Sequence, residues 1–330
     1  MSKARGLADL GNVYNDGALS NRNLIINGAF NVAQRGTSFT TNGYHLDRWR
    51  TYNSGGTATI SQQASASGSS PEVGLDTYVR IVRASPSGIF YLNQRVEDVR
   101  KSDGATLTLS FYGKASSPTT VPCRIPQEFG TGGSAGVGNA AQDNNLTTSW
   151  QKFSMTFNMA SLSGKTIGTG SYFDPVFDIP ATTATIEITG VQLEVGDTAT
   201  PFEHRSYGQE LSLCQRYYEK SFQQGQAPIR AIAAPDRFGG TAYGPSSLGE
   251  SRPFSVSKRN SPTMTYYHGV ATGVSASGTI NAYISGSWSE VTISGGGAVQ
   301  TAFTFDCTGL TLTTGYSYLL DFNWTADAEL

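Results

Sequence analysis

The chain has 330 residues, long enough for two domains that each bury a core. It is 38% apolar and 15% charged, with 38 glycines, a usage that favours short strands joined by tight turns. The net charge is -2 and Lys and Arg form no block, which excludes the electrostatic footprint of a general nucleic-acid or anionic-membrane binder and points to an uncharged, polyhydroxylated partner such as a glycan. No run of about 18 apolar residues announces a membrane helix, and the N-terminus has no secretory apolar run, so synthesis in a cytoplasm is expected. Cys123, Cys214 and Cys307 are far apart in sequence and are expected as free thiols.

Residues 1–22 carry scattered apolar positions, too few for a core, and read as an arm. From Asn23 the segment NLIINGAFNV begins, interrupted by Asn27-Gly28, a dipeptide suited to tight turns. Alternation then predicts strands at 57–62, with Ala58 and Ile60 inward, at 106–114, with Leu107, Leu109 and Phe111 inward, and at 150–159, with Phe153, Met155, Phe157 and Met159 on one face. In 184–195 the inward set changes phase from Ala184, Ile186 and Ile188 to Val191, Leu193 and Val195, which predicts a bulge at Thr189-Gly190. Residues 127–145 are rich in Gly, Ala and Asn and read as a long loop outside the core. The GVGNAA within it lacks the following helix that a dinucleotide site requires.

Thr200-Pro201 forces extension, and Ser206 with Gln209 three residues on resembles a capping box. A helix is expected over 206–222 with a stripe of Leu211, Cys214, Tyr218 and Phe222, serving either its own sheet or self-association. A second β region follows, with strands at 253–258, 263–268, 299–307 and 316–324. The fold expected is therefore mainly β: two antiparallel β-sandwich, jelly-roll-like modules at 23–205 and 223–330, joined by one amphipathic helix and preceded by an extended arm.

Chemistry-bearing motifs are sparse. His45, His204 and His268 stand apart, with no zinc spacing. No nucleophile elbow is present. Glu97 with Asp98, and Asp174 with Asp178, are close in sequence and read as solvated loop charges rather than a glycosidase pair. No metal site is expected, although a calcium ion on the first sandwich stays open because hard cations accept scattered oxygens. Glu203, His204 and Arg205 read as a polar lock at the strand-to-helix junction. For glycan contact the aromatic residues Tyr243, Tyr267, Tyr283 and Trp288, in or beside Gly/Ser-rich segments, are the candidates, and Trp49 is a further one that also fits a core.

The phrases NLIINGAFNVAQRGTSF, YHLDRW, GVQLEVGDTATPFEHRSYGQELSLCQRYYEKSF, KRNSPTMTYY and the terminal ADAEL together resemble a family of bacteriophage and prophage tail fibre proteins. That resemblance implies a homotrimer attached through residues 1–22 to a phage tail, baseplate or adaptor protein, with Leu211, Cys214 and Tyr218 as the helix stripe that gathers the chains. It also implies modules displayed outward to bind a host-surface glycan, and a protein that is made in the infected bacterial cytoplasm and carried on the virion. The first module further resembles jelly-roll carbohydrate-binding modules. No catalysis, nucleic-acid binding or membrane insertion is expected. The alternatives are a fibre that depolymerises its glycan and a carbohydrate-binding accessory module not on a virion.

Overall fold

The structure is a computed structural model that describes residues 22–228, 236–268 and 278–330. The arm over 1–22 thus lies outside the described residues except for Arg22. The chain divides into two compact units: 38–206 with the preceding residues to 31 and Leu330, and 207–329 with residues 32–37.

Among the described residues the first unit contains fifteen strands. These are β1 (Ser38–Phe39), β2 (Gly43–Tyr44), β3 (Arg50–Asn53), β4 (Gly56–Ala64), β5 (Thr77–Pro86), β6 (Phe90–Asn93), β7 (Val96–Glu97), β8 (Thr106–Ala115), β9 (Thr119–Arg124), β10 (Gln127–Glu128), β11 (Gln142–Leu146), β12 (Gln151–Asn158), β13 (Tyr172–Phe173), β14 (Val176–Asp178) and β15 (Ile186–Val195). Two antiparallel six-stranded sheets result, ordered β1-β4-β5-β15-β8-β12 and β11-β9-β14-β6-β3-β2, with a small third sheet β10-β13-β7. Alternation places Ala58, Ile60, Leu107, Leu109 and Phe111 of the first sheet in the core, as expected, together with Val121, Cys123, Leu92 and Phe177 of the second.

The bulge in β15 is present: register shifts between Thr189 and Gln192, and Gly190 sits at φ +59°, where a Cβ would meet Leu75 at 2.7 Å. Beyond it Val191 and Leu193 return inward, but Val195, the last residue of the strand, is 67% exposed. Gly28 is constrained differently. Its carbonyl accepts a hydrogen bond from Val191 N (2.9 Å), and an added Cβ would fall 2.1 Å from Val191 O, so the Asn27-Gly28 turn is pressed onto β15.

The stretch 127–145 is more ordered than its composition suggests. Its ends form β10 and β11, while Phe129, 1% exposed, packs with Val99, Leu162, Val137 and Ile167 in a satellite core. One large aromatic residue is enough to pull a Gly-rich segment into a cluster.

The second unit begins with α1 (Tyr207–Gln215), followed by β16 (Tyr218–Lys220), β17 (Asp236–Gly244), β18 (Ser247–Pro253), β19 (Thr263–His268), β20 (Thr279–Ile284), β21 (Ser287–Ala298), β22 (Ala302–Thr308) and β23 (Ser317–Asp327). The helix is shorter than the expected 206–222. After Gln215 the chain turns through Tyr217 N to Cys214 O (2.9 Å), and the aromatic pair Tyr217-Tyr218 enters a strand that pairs with Thr325–Asp327 of β23, so tertiary pairing overrides helix periodicity. Lys258, fully buried, caps the helix end: its Nζ donates to Gln215 O (2.7 Å) and Val256 O (2.9 Å) and forms an ion pair with Glu219.

Strand pairing runs β23-β17-β18-β22-β21-β20 and returns from β20 to β23. This sheet therefore closes on itself, where a sandwich was expected, around a core of Leu248, Ile280, Ala282, Phe303, Phe305, Leu320 and Phe322. Closure leaves β17, β18, β20, β21 and β22 paired on both sides, and the long β23 makes it possible, with β17 and β16 along one side of it and β20 and β19 along the other. The strand expected at 253–258 instead leaves the sheet after Pro253, and β17, β20 and β21 were not anticipated.

Candidate functional site

In the first unit, the register of β3, β6, β14 and β9 sets two rows of side chains on the outward face of the second sheet. Arg50 pairs with Asn93, Asn93 with Val176, and Val176 with Arg124; alongside, Tyr52 pairs with Tyr91, and Tyr91 with Asp178. Intervening residues Thr51, Leu92, Phe177 and Cys123 are buried in the core, so the period of two fixes which chemistry faces out.

Tyr52 and Tyr91 are half-buried and stacked, with ring centroids 5.1 Å apart and planes 21° from parallel. Next to them Arg124 grips Asp178 with two hydrogen bonds of 2.9 and 3.2 Å. A cleft of about 130 Å³ opens beside this pair, lined by Arg50, Tyr91, Asn93, Arg95, Arg124, Glu128, Tyr172 and Asp174 among others. The Arg95 guanidinium lies 4.4 Å over the Tyr172 ring and is bonded to Leu330 O.

Asp174 is not a solvated loop charge, contrary to the sequence expectation. It is 6% exposed, and burial pushes its carboxyl up to about 6 against the opposing hydrogen bond from Asn93 Nδ2 (2.5 Å). Asn93, 1% exposed, leaves its Oδ1 without a partner among the described residues. The guanidinium of Arg50 and the carboxylate of Glu128 likewise make no hydrogen bond or ion pair among the described residues. The site thus combines aromatic faces with donors and acceptors that the fold leaves unused. That arrangement suits a polyhydroxylated ligand, in which C–H surfaces stack and hydroxyls bond laterally.

Trp49 is not on this face. It is 1% exposed, stacked on Phe30 (4.8 Å), and its Nε1 donates to Asn27 O (2.9 Å), so it is a core residue and offers no ring face to a ligand. The other four aromatic candidates lie in the second unit, and the structure brings two of them together. Tyr283 and Trp288 pair across β20 and β21 at 5.4 Å and are 40% and 39% exposed. Tyr243, 59% exposed, donates from its hydroxyl to Asp306 (3.2 Å). Tyr267 sits on β19 with its ring edge-on to Phe222 (5.2 Å).

Of the helix stripe, Leu211 is half-buried and Cys214 fully buried. Tyr218 belongs to β16 rather than the helix, and its ring is covered by Arg35 at 3.7 Å. Cys214 and Tyr218 are therefore interior to the chain's own fold and do not form a surface stripe. At the junction, Arg205 donates to Ile25 O (3.0 Å), Asn23 O (2.5 Å) and Glu203 (3.3 Å), which in turn accepts from Asn23 N (2.8 Å). His204 is a weaker member, 3.8 Å from Glu72.

All three cysteines are free and buried. Among the described residues, no group of three or more His, Cys, Asp or Glu is placed to hold a metal, and no helix is long and apolar enough to cross a membrane.

No family model matches the chain, and no curated protein matches it. Solved structures that resemble it include a CBM4 structure at 22% identity, covering 52% of this chain and 98% of that one, with a TM-score of 0.34. The xylan-binding CBM22-1 domain of Paenibacillus barcinonensis Xyn10C resembles it at 13% identity, 51% and 100% coverage and TM-score 0.31. The enzymatically active domain of tailspike protein 4 of bacteriophage CBA120 does so at 12% identity, 53% and 21% coverage and TM-score 0.36. At scores this low the likeness assigns neither a ligand nor an activity.

Proposed function

We propose that the protein is a tail fibre component of a bacteriophage or prophage, and that the outward face of the β11-β9-β14-β6-β3-β2 sheet binds a host-surface glycan. The observation that carries the binding role is the stacked Tyr52-Tyr91 pair beside the buried Asn93 Oδ1 and the Arg50 guanidinium, neither of which has a partner among the described residues. The fibre role is supported by the wording of the chain, above all EHRSYGQELSLCQRYYEK and NLIINGAFNVAQRGTSF. On this reading the protein is a trimer in the virion, residues 1–22 dock it to the tail, no metal or cofactor takes part, and binding proceeds without catalysis.

The experiment is a glycan array probed with the full chain and with a Tyr52→Ala/Tyr91→Ala variant. Binding by the wild type and at least tenfold weaker binding by the variant supports the reading, as lost aromatic stacking costs about 1.4 kcal/mol or more. Light scattering tests the trimer, and a monomeric mass contradicts it.

One observation favours a second reading, a fibre that cleaves its glycan. Asp174, with its carboxyl at about 6, faces the same cleft as Glu128, and a raised carboxyl is what a general acid needs. Steady release of reducing ends from host polysaccharide, abolished by Asp174→Asn, would establish it over pure binding.

A further inference from the structure

The cleft beside the Tyr52-Tyr91 pair has a volume of about 130 Å³, well below the roughly 300–1,000 Å³ of a pocket that encloses a whole ligand. Tyr91 belongs to both the aromatic pair and the cleft wall. A sugar ring stacked on it can therefore place one substituent inside the cleft and no more.

Two buried atoms define what that substituent carries. Asn93, 1% exposed, donates from Nδ2 to Asp174, while its Oδ1 is buried and accepts no hydrogen bond among the described residues. Arg95, two residues further along the chain, gives Nη1 to Leu330 O, while its Nε–H is buried and meets no acceptor among them. Both residues line the cleft. One acceptor and one donor are thus left over where buried polar groups are normally satisfied.

The common sugar substituents meet this pair differently. A carboxylate only accepts, so it serves Arg95 but leaves Asn93 Oδ1 facing oxygen and adds a third negative group to Glu128 and Asp174. An ammonium only donates, so it serves Asn93 and leaves Arg95 Nε unpaired. A hydroxyl, near the size of one water at roughly 30 Å³, leaves most of the volume unfilled. An acetamido group has one N–H, one C=O, no charge, and a methyl that suits the Pro126 and Val176 side chains in the cleft wall. Charge agrees with this choice. With Asp174 ionised, Glu128 and Asp174 balance Arg50 and Arg95, while Arg124 is held by Asp178, so a neutral group is favoured.

Resting on the glycan-binding reading of this face, we propose that the sugar it selects is N-acetylated. The acetamido N–H donates to Asn93 Oδ1, its carbonyl accepts from Arg95 Nε, and its methyl lies against Pro126 and Val176.

The test is a saturation-transfer NMR titration of the full chain at about pH 7.5, where Asp174 is mostly ionised. The probes are N-acetylglucosamine, N-acetylgalactosamine, glucose, galactose, glucosamine, glucuronic acid and 2-O-acetylglucose, an ester that keeps the carbonyl but lacks the N–H. At least one N-acetylated sugar is expected to bind about tenfold or more tighter than its parent, the amine, the acid and the ester. Arg95→Met keeps an unbranched stem over Tyr172 and is expected to reduce the ratio of N-acetylated to parent affinity at least fivefold, with circular dichroism confirming the fold. The ester comparison decides the matter if that variant does not fold. Equal affinity for parent and N-acetylated sugars, a preference for the acid or the amine, an ester that binds as well as the amide, or a ratio unmoved by Arg95→Met in folded protein overturns the proposal. Any of these results, with binding still lost in Tyr52→Ala/Tyr91→Ala, leaves the glycan-binding reading standing. Binding of no sugar by the wild type, or binding indifferent to the tyrosine pair, overturns both.

Discussion

The two β units solve the same problem differently. The first stacks two open sheets, so each sheet keeps an outward face broad enough to array Arg50, Tyr52, Tyr91, Asn93 and Arg124 in register. The second closes a six-stranded sheet on itself, with β16 and β19 paired to the far end of β23. The difference teaches that stacked open sheets leave whole outward faces available, whereas a closed sheet leaves mainly its ends and the strand that outruns the closure.

The largest expected effect breaks the second unit alone. Lys258→Met leaves Glu219 buried without its cation, and removing one partner of such a pair costs about 3–5 kcal/mol. Hydrogen exchange should accelerate in β16–β23 while β1–β15 keep their protection. Gly28→Ala acts on the other side of the comparison. A Cβ placed against Val191 O forces the turn off β15, with an expected loss of about 2–4 kcal/mol, read as a lower urea midpoint.

These two positions also show what was legible in the sequence. The Asn27-Gly28 turn, the inward faces of β4 and β8 and the bulge at Thr189-Gly190 all follow from period and glycine chemistry, which are local. The helix end was not legible, because Tyr218 leaves the stripe only when β23, about a hundred residues later, offers it a pairing edge. The site was missed for a similar reason. Tyr52 and Tyr91 are far apart in sequence and meet through the β3–β6 register, and Asp174 reads as an exposed loop acid until β14 and β6 enclose it. Alternation in RTYN and FYLN was the available signal, since both put a Tyr on the face opposite a buried residue. Trp49 fitted a core as well as a binding face, and the structure selects the core.

Smaller effects sharpen the account of the first-unit cleft. Asp174 holds its proton more tightly folded than unfolded, with its carboxyl raised from 3.8 to about 6. Its contribution to stability is therefore complete below about pH 4 and declines as pH rises through about 6. Asp174→Asn should remove that decline and raise stability at pH 7.5 by about 1–3 kcal/mol, measured by thermal melts across pH 3.5–7.5. A variant that melts at the wild-type temperature throughout would show that Asp174 is solvated rather than buried. Smaller still, Arg124→Lys replaces the two-pronged grip on Asp178 with a single point charge and should weaken glycan binding about two- to fivefold with the fold intact, measured by titration calorimetry.

The most direct test of the central claim is the affinity of the full chain for a glycan identified on the array, compared between wild type and the Tyr52→Ala/Tyr91→Ala variant by calorimetry. The account predicts at least a tenfold loss for the variant with an unchanged melting profile. Equal affinity in the two proteins would contradict it, because the outward face of the β11-β9-β14-β6-β3-β2 sheet would then not be where that glycan binds.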